Sequence, residues 1–223
     1  MRICYGLSVD MAISIAIVDD HRVVARSLQA YLESFEDLRL VGMAATGEEL
    51  LDRLDEWNPQ VVLQDLLLPG GIDGIETTRR IVARSPHVRV VALTASTDEA
   101  RMMGVLRAGA VGYVRKDAEP ETLLAAVRAV ARGRTFIDPS IGHRLIRAGA
   151  APDDLTPRER DVLRHVALGR SNRDIASALD IGEETVKSHV SRLLAKLGAE
   201  NRAQAAVRAL ARGVVSPEDL ASD

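Results

Sequence analysis

Cysteine occurs once in 223 residues, at Cys4, which excludes an internal disulfide framework and fits a reducing compartment. Aromatic residues make up 3% of the chain, too few for the stacking platforms that hold single-stranded nucleic acid. No apolar run approaches the roughly 20 residues that cross a bilayer, and residues 1–11 lack the apolar core of a signal peptide. The expectation is a cytoplasmic protein without membrane contact. Lysine is scarce too: the 29 basic residues include only Lys116, Lys187 and Lys196. A lysine in this arginine-rich background stands out.

What is present is apolar content of 47%, ample for buried cores, in a length that allows one large or two small domains. The net charge of −3 hides an asymmetry. Residues 1–154 carry 18 basic and 22 acidic residues, residues 155–213 carry 11 and 7, and the last ten add three acids. An acidic front and a basic back suit a cation site joined to a module for polyanions.

Four short apolar runs in the front half each end in a residue able to bind Mg²⁺ or a phosphoryl group. Ile13–Val18 leads to Asp19-Asp20, Val61–Gln64 to Asp65, Val88–Leu93 to Thr94, and Val111–Arg115 to Lys116. Such runs alternating with helix-length amphipathic stretches predict βαβ units and a parallel sheet. Strands are expected near 13–18, 39–45, 60–65, 88–93 and 111–114, and helices near 22–34, 47–57, 73–84, 97–108 and 119–131. In an open sheet of this kind, ligands bind beyond the carboxyl ends of the strands. With strand order 2-1-3-4-5, Asp19-Asp20 and Asp65 fall on neighbouring strands roughly 5 Å apart. Lys116 falls two strands from Asp65, roughly 10 Å at the backbone, within reach of a long flexible cation. Three carboxylates make a hard oxygen site suited to Mg²⁺, or Mn²⁺. With its charge screened by a metal, Asp65 can act as a nucleophile toward phosphorus. Thr94 can then donate to the new phosphoryl group and Lys116 can neutralise it.

The last third has a different logic. Thr156 is an N-cap, Pro157 suits the first helical position, and Glu159 completes a capping box. A second short helix is expected from Ser171 to about Leu179, a third from about Glu183 to Leu197, and a fourth over about 201–212. Val186, Val190, Leu193, Leu194 and Leu197 mark one buried face of the third helix. Lys187, Ser188, Ser191 and Arg192 lie opposite it, an arrangement that suits the recognition helix of a helix-turn-helix. Gly182 stands where a hydroxyl N-cap is usual, at a cost of a few tenths of a kcal/mol.

These segments carry a resemblance. Ile17-Val18-Asp19-Asp20-His21, Leu63-Gln64-Asp65-Leu66 with Pro69, Leu93-Thr94-Ala95 and Gly112-Tyr113-Val114-Arg115-Lys116 resemble the receiver domain of two-component response regulators. Leu155–Arg160 and Thr185–Val190 resemble the LuxR-type helix-turn-helix of the NarL/FixJ subfamily. The resemblance spans about residues 12 to 213. It implies a flavodoxin-like, doubly wound five-stranded parallel α/β domain followed by a small all-α domain of four helices. The implied division is an extension at 1–11, a receiver at 12–132, a linker at 133–154 with a short helix at Ser140–Ala148, the DNA-binding domain at 155–213 and a tail at 214–223. By the same resemblance, Asp65 is the phosphoacceptor. Asp19, Asp20, Asp65 and the Leu67 backbone carbonyl hold Mg²⁺; Thr94, Tyr113 and Lys116 form the phosphate-sensing set. Lys187, Ser188 and Ser191 face bases, while Thr185 and Arg192 face phosphates. The implied partners are a sensor histidine kinase, DNA with two-fold related half-sites, a second copy on activation, and RNA polymerase. The protein is expected not to be an enzyme beyond slow self-dephosphorylation.

Two features depart from that pattern. The loop Leu66–Gly74 is one residue longer than usual, and Gln64 puts an amide into a strand that should be buried on both faces. They leave open a regulator of the same architecture that acts without phosphorylation. An aspartyl phosphatase of the haloacid-dehalogenase type is disfavoured, because Asp65 ends the third strand rather than the first and Leu67 fills the position of its acid. A dinucleotide fold is disfavoured too, since Gly70–Gly74 lacks the required glycine fingerprint.

Overall fold

The computed structural model describes residues 12–95, 98–141, 155–211 and 213–215. In chain order the elements are β1 (Ile13–Val18), α1 (Arg22–Leu32), β2 (Leu38–Ala44), α2 (Gly47–Trp57), β3 (Val61–Asp65), α3 (Gly74–Arg84), β4 (Arg89–Thr94), α4 (Glu99–Arg107), β5 (Gly112–Arg115), α5 (Pro120–Ala131) and β6 (Phe136–Ile137). Four helices follow: α6 (Pro157–Ala167), α7 (Asn172–Leu179), α8 (Glu183–Leu197) and α9 (Arg202–Ala211). The sheet is parallel throughout, in the order β2-β1-β3-β4-β5-β6.

The central strands are apolar on both faces because helices cover both. Ile15, Ile17, Leu63 and Val91 pack on one side with Leu32 of α1 and Leu123, Val127 and Val130 of α5. Ala16, Val18, Val62 and Ala92 face the other side, with Leu50 and Leu54 of α2, Ile81 of α3 and Leu106 of α4. Two caps pin the helices beside the carboxyl edge: Thr46 accepts from the Glu49 amide and Asp73 from that of Glu76. Gly42 has no room for a side chain, since a Cβ there would sit within the Trp57 ring.

The sixth strand departs from the five-stranded expectation, in which residues 136 and 137 belong to the linker. It exists because Phe136 and Asp138 donate to the carbonyls of Val111 and Tyr113, at 3.0 and 2.9 Å, extending the ladder beyond β5. Two apolar residues amid Gly, Arg and Pro give too short a pattern to read as a strand. The helix expected at Ser140–Ala148 lies mostly outside the described residues, as do the extension at 1–11 and most of the tail.

In the carboxy-terminal domain both capping boxes form. Thr156 pairs reciprocally with Glu159, and Ser171 with Asp174. Gly198 ends α8 in the left-handed conformation (φ 61°) that glycine adopts at no steric cost. Glu159 is more than a cap: its Oε2 accepts from Lys196 Nζ of α8 at 2.6 Å as well as from the Thr156 amide at 2.9 Å. It thereby ties the first helix of this domain to the third. The Lys196 and Thr156 bonds hold the Glu159 carboxyl at about 2, well below its ordinary 4.5.

A carboxylate with a depressed folded-state pKa stabilises fully above its ordinary value and loses that contribution as pH falls through the folded value. Glu159→Gln is therefore expected to lower the urea midpoint of the helical signal at pH 6. The gap to wild type should close as pH falls from about 4.5 toward about 2. A gap that stayed constant over that range would show that the Lys196–Glu159 pair contributes nothing through charge.

Candidate functional site

The carboxyl edge of the sheet gathers the expected residues. Asp19 follows β1 and Asp65 ends β3; both are buried, at 2% and 1% exposure. Lys116 follows β5 and reaches back across β4. Its Nζ lies 2.7 Å from Asp19 Oδ2 and 2.8 Å from Asp65 Oδ2. Burial alone would pull the Lys116 pKa down, but the bonds to Asp19 and Asp65 outweigh it and the net shift is upward. The second oxygen of Asp65 accepts from the Leu67 amide at 3.1 Å. Both carboxylate oxygens are thus held, and the group is fixed in orientation.

Asp20 is only partly buried overall, yet its Oδ1 is shielded from solvent and receives no well-directed hydrogen bond, although His21 Nδ1 lies 2.8 Å away. Ligand atoms of Asp19, Asp20, His21 and Asp65 lie within 4.8 Å of one another. That spacing approaches what opposite ligands of one cation span at roughly 2.1 Å each. With a shielded carboxylate oxygen among them that accepts no well-directed hydrogen bond, the donor set fits a hard divalent ion. His21 carries no role on its sequence position alone; the fold turns its Nδ1 toward both Asp19 and Asp20.

Thr94 ends β4 and Tyr113 lies in β5, and the two side chains are hydrogen-bonded to one another. Burial raises the Tyr113 phenol pKa, partly offset by the Thr94 bond. Tyr113 is 2% exposed and packs in the same cluster as Met102, Val105 and Leu106 of α4.

The long loop has an anchor that the sequence did not reveal. Glu48 of α2 accepts from the Ile72 amide at 2.8 Å, and this bond depresses its carboxyl pKa. Gly70 and Gly71 turn the chain at φ 68° and 81°, a region costly for other residues. Gly74 starts α3 hard against Asp65, where any Cβ would meet the Asp65 carbonyl oxygen. Gln64 is fully buried; its Nε2 donates to the Asp65 carbonyl at 2.8 Å, while its Oε1 has no partner.

In the second domain Thr185, Lys187, Ser188, Ser191 and Arg192 are all exposed on α8, opposite buried Val186, Leu193 and Leu197. No side chain caps α8 at Gly182. Lys187 Nζ is 2.5 Å from Glu184, and this contact raises its pKa. His189 is half-buried with Nδ1 unpartnered.

α9, by contrast, is covered on nearly every face. Ala203 to Val207, Ala209 and Leu210 are buried, packed between α6 and α8 on one side and α4 with β6 on the other. At its start, Asn201 Nδ2 donates to the Leu106 carbonyl of α4, and Arg107 lies 3.8 Å from Glu200. The Thr135 amide donates to the Gly169 carbonyl at 3.3 Å, and Gly169 leaves no space for a Cβ against Thr135.

Residues 15–128 match the response regulator receiver domain family, and residues 153–209 match the luxR family of bacterial regulatory proteins. The chain belongs to the two-component response regulators that carry a LuxR-type helix-turn-helix. It is 39% identical over 204 residues to the transcriptional regulatory protein YhcZ of Bacillus subtilis, covering 88% of this chain and 94% of that protein. It is 33% identical over 209 residues to the response regulator VraR of Staphylococcus aureus, covering 92% of this chain and all of that one. Among solved structures, the RcsB–DNA complex aligns with 91% of this chain and 99% of its own, at a TM-score of 0.57 and 28% identity. Among the described residues no helix is long and apolar enough to cross a membrane.

Gln64 supplies a test of the strand that carries Asp65. A buried acceptor without a partner costs about 1–3 kcal/mol, and methionine fills a similar volume without one. Gln64→Met is expected to match or exceed wild type in denaturant stability. A loss above about 1 kcal/mol would show that the amide makes a needed bond.

Proposed function

We propose that this response regulator is switched by phosphorylation of Asp65 and that the switch acts on DNA binding through α9. The observation that carries the proposal is Asp65 itself, buried and held by Lys116 and the Leu67 amide at the end of β3. An Asp65 oxygen attacks the phosphorus of a phosphohistidine on a sensor kinase or of a small acyl phosphate. The bond from phosphorus to the donor nitrogen or oxygen breaks, and an aspartyl phosphate forms. Asp19, Asp20, Asp65 and the Leu67 carbonyl would hold Mg²⁺ or Mn²⁺, which when bound screens the carboxylate from the incoming phosphate. Lys116 keeps its charge and moves from pairing with a carboxylate to pairing with the phosphoryl oxygens. Thr94 gives up Tyr113 to bond the same group. Val23, 80% exposed on a groove between α1 and α5 that reaches Lys116, offers the kinase an apolar contact.

Tyr113 lies in the same buried cluster as Met102, Val105 and Leu106 of α4, and α4 holds Asn201 at the start of α9. Movement of Tyr113 loosens that seat and frees α9, whose alanine-rich face suits pairing with a second copy. Two copies then read half-sites related by two-fold symmetry, with Lys187, Ser188 and Ser191 toward bases and Thr185 and Arg192 toward phosphates. RNA polymerase is the further partner a transcription regulator would meet. The working division is a receiver over 12–132 with β6 added to its sheet, a shorter linker to 154, a DNA-binding domain over 155–213, and terminal segments 1–11 and 214–223. Beyond accepting and slowly losing its phosphate, the protein performs no catalysis.

The protein treated with acetyl phosphate and Mg²⁺ is expected to gain one phosphoryl group by intact mass, and Asp65→Asn or EDTA should abolish the gain. No adduct with acetyl phosphate or candidate kinases would favour a regulator of this architecture working without phosphorylation, for which the lengthened loop and the orphan oxygen of Gln64 speak. The route through α9 is tested separately by Asn201→Asp. Asn201 Oδ1 caps α9 by accepting from the Gln204 amide at 3.0 Å, which aspartate retains, while the donor to Leu106 is replaced by a repelling oxygen. This variant is expected to bind promoter DNA several-fold more tightly than wild type without phosphorylation; equal affinity would sink the α9 route and leave Asp65 untouched.

A further inference from the structure

At the opposite end of the sheet from Asp65, where the receiver meets the DNA-binding domain, lies a cavity of about 240 Å³. Arg89 opens β4, Gly109 and Gly133 precede β5 and β6, Arg134 follows, and Arg202 begins α9; all line it. The charge is poorly balanced. Arg134 lies 3.7 Å from Asp174, but among the described residues Arg89 and Arg202 have no carboxylate within ion-pairing distance.

Arg202 is the more unusual of the two. Its guanidinium donates to the Asn172 side-chain oxygen at 3.2 Å and to the Arg170 carbonyl, both neutral acceptors. Its Nε is buried with no partner. Desolvation pulls its pKa down to about 10, against an attraction from Asp174. Arginine is rarely buried without a counter-charge, because the cost of dehydration is not recovered. The planar guanidinium is also the side chain best matched to phosphate oxygens.

We infer that this cavity binds a small phosphate dianion, either free or as the end group of a phosphate monoester. Three arginines against one nearby aspartate leave two positive charges, which a dianion balances. The volume lies below the roughly 300–1,000 Å³ of pockets for drug-sized ligands, so a nucleotide or an oligosaccharide is too large. Because Arg89 and Arg134 belong to the receiver and Arg202 to the DNA-binding domain, the anion fastens the two together. It thus opposes release of α9, a consequence that rests on the switch proposed above, whereas the binding itself does not.

The test is an amide-shift titration of the unphosphorylated, ¹⁵N-labelled full-length protein at fixed ionic strength, with sodium orthophosphate or glycerol phosphate replacing sodium chloride. Saturable shifts at Gly109 and Gly133 are expected, with affinity falling at least about tenfold in Arg89→Gln and in Arg134→Gln. These two positions keep Arg202 and its bonds intact, so the variants should fold. Tighter binding of orthophosphate assigns the free ion, and tighter binding of glycerol phosphate the monoester; either supports the site. Shifts that do not saturate, that persist undiminished in both variants, or that occur only around Asp65 or along α8 would overturn it. Acetyl phosphate plays no part in the measurement, so its failure leaves the assignment of Asp65 standing.

Discussion

One ammonium group organises the carboxyl edge of the receiver. Asp19 and Asp65 are both almost wholly buried, and two carboxylates withdrawn from water beside each other repel strongly unless a cation lies between them. Lys116 Nζ sits within 2.8 Å of both. To place it there, the fold must put β1 and β3 side by side, cross β4, and leave a residue just past β5 with a side chain long enough to reach back. The order of the strands is thus tied to the electrostatics of their ends. In the proposed switch, the cation that offsets the repulsion between these two carboxylates is also placed to pair with a phosphoryl group on Asp65, so little charge reorganisation is needed when the group arrives.

Much of this was legible in the sequence because a parallel sheet buried on both faces writes itself as continuous apolar runs, and its ligands collect where those runs stop. Asp19, Asp20, Asp65, Thr94 and Lys116 all stand at such stops. The capping box at Thr156 and Glu159 was equally plain, since capping depends on neighbours three residues apart, and the same spacing makes Ser171 and Asp174 a second box. What was not legible depended on distant parts of the chain. β6 is two residues long and has strand character only because β5 offers its open edge. Glu48 looks like an ordinary first-turn acid of α2 until the loop folds onto it and Ile72 finds its carboxylate. His21 looks like a cap residue, and the orphan oxygen of Gln64 cannot be inferred from an amide in a strand. Nor does periodicity say that α9 is covered from two sides; an alanine-rich helix with an arginine at its start and another in its last turn reads equally well as a solvated one.

The packing of α9 has an energetic cost built into it. Arg202 Nε, Gln204 Nε2 and Arg208 Nε, all on this one helix, are buried without partners. Each such donor offsets part of what the apolar contacts of α9 contribute. A docked helix that is well packed in its alanines and valine but poorly satisfied in its polar groups has a modest margin of stability in place. That margin matters for a switch, because moving a two-state balance from mostly closed to mostly open takes about 5.5 kcal/mol of differential binding. In the proposed switch, a seat much firmer than this could not be released by one phosphoryl group.

The geometry also bears on what is being held back. The exposed residues of α8 that would meet DNA are open in the closed arrangement, whereas α9 is enclosed between the domains. In the proposed switch, steric blocking of the reading surface is therefore not what the closed form would provide. What it would remove is a helix face through which two copies could associate, and association is decisive if each copy reads only one half-site. Linking two weak readers raises the effective concentration of the second once the first is bound, so overall affinity can rise 10²- to 10⁴-fold without any new base contact. In the proposed switch, covering α9 keeps that gain unavailable while leaving α8 ready. The Lys187–Glu184 pair fits the same logic. An exposed pair contributes little stability, but in the proposed switch it would keep the leading cation of α8 partly neutralised, so that a lone domain would adhere weakly to arbitrary phosphates and discrimination would wait for the paired form.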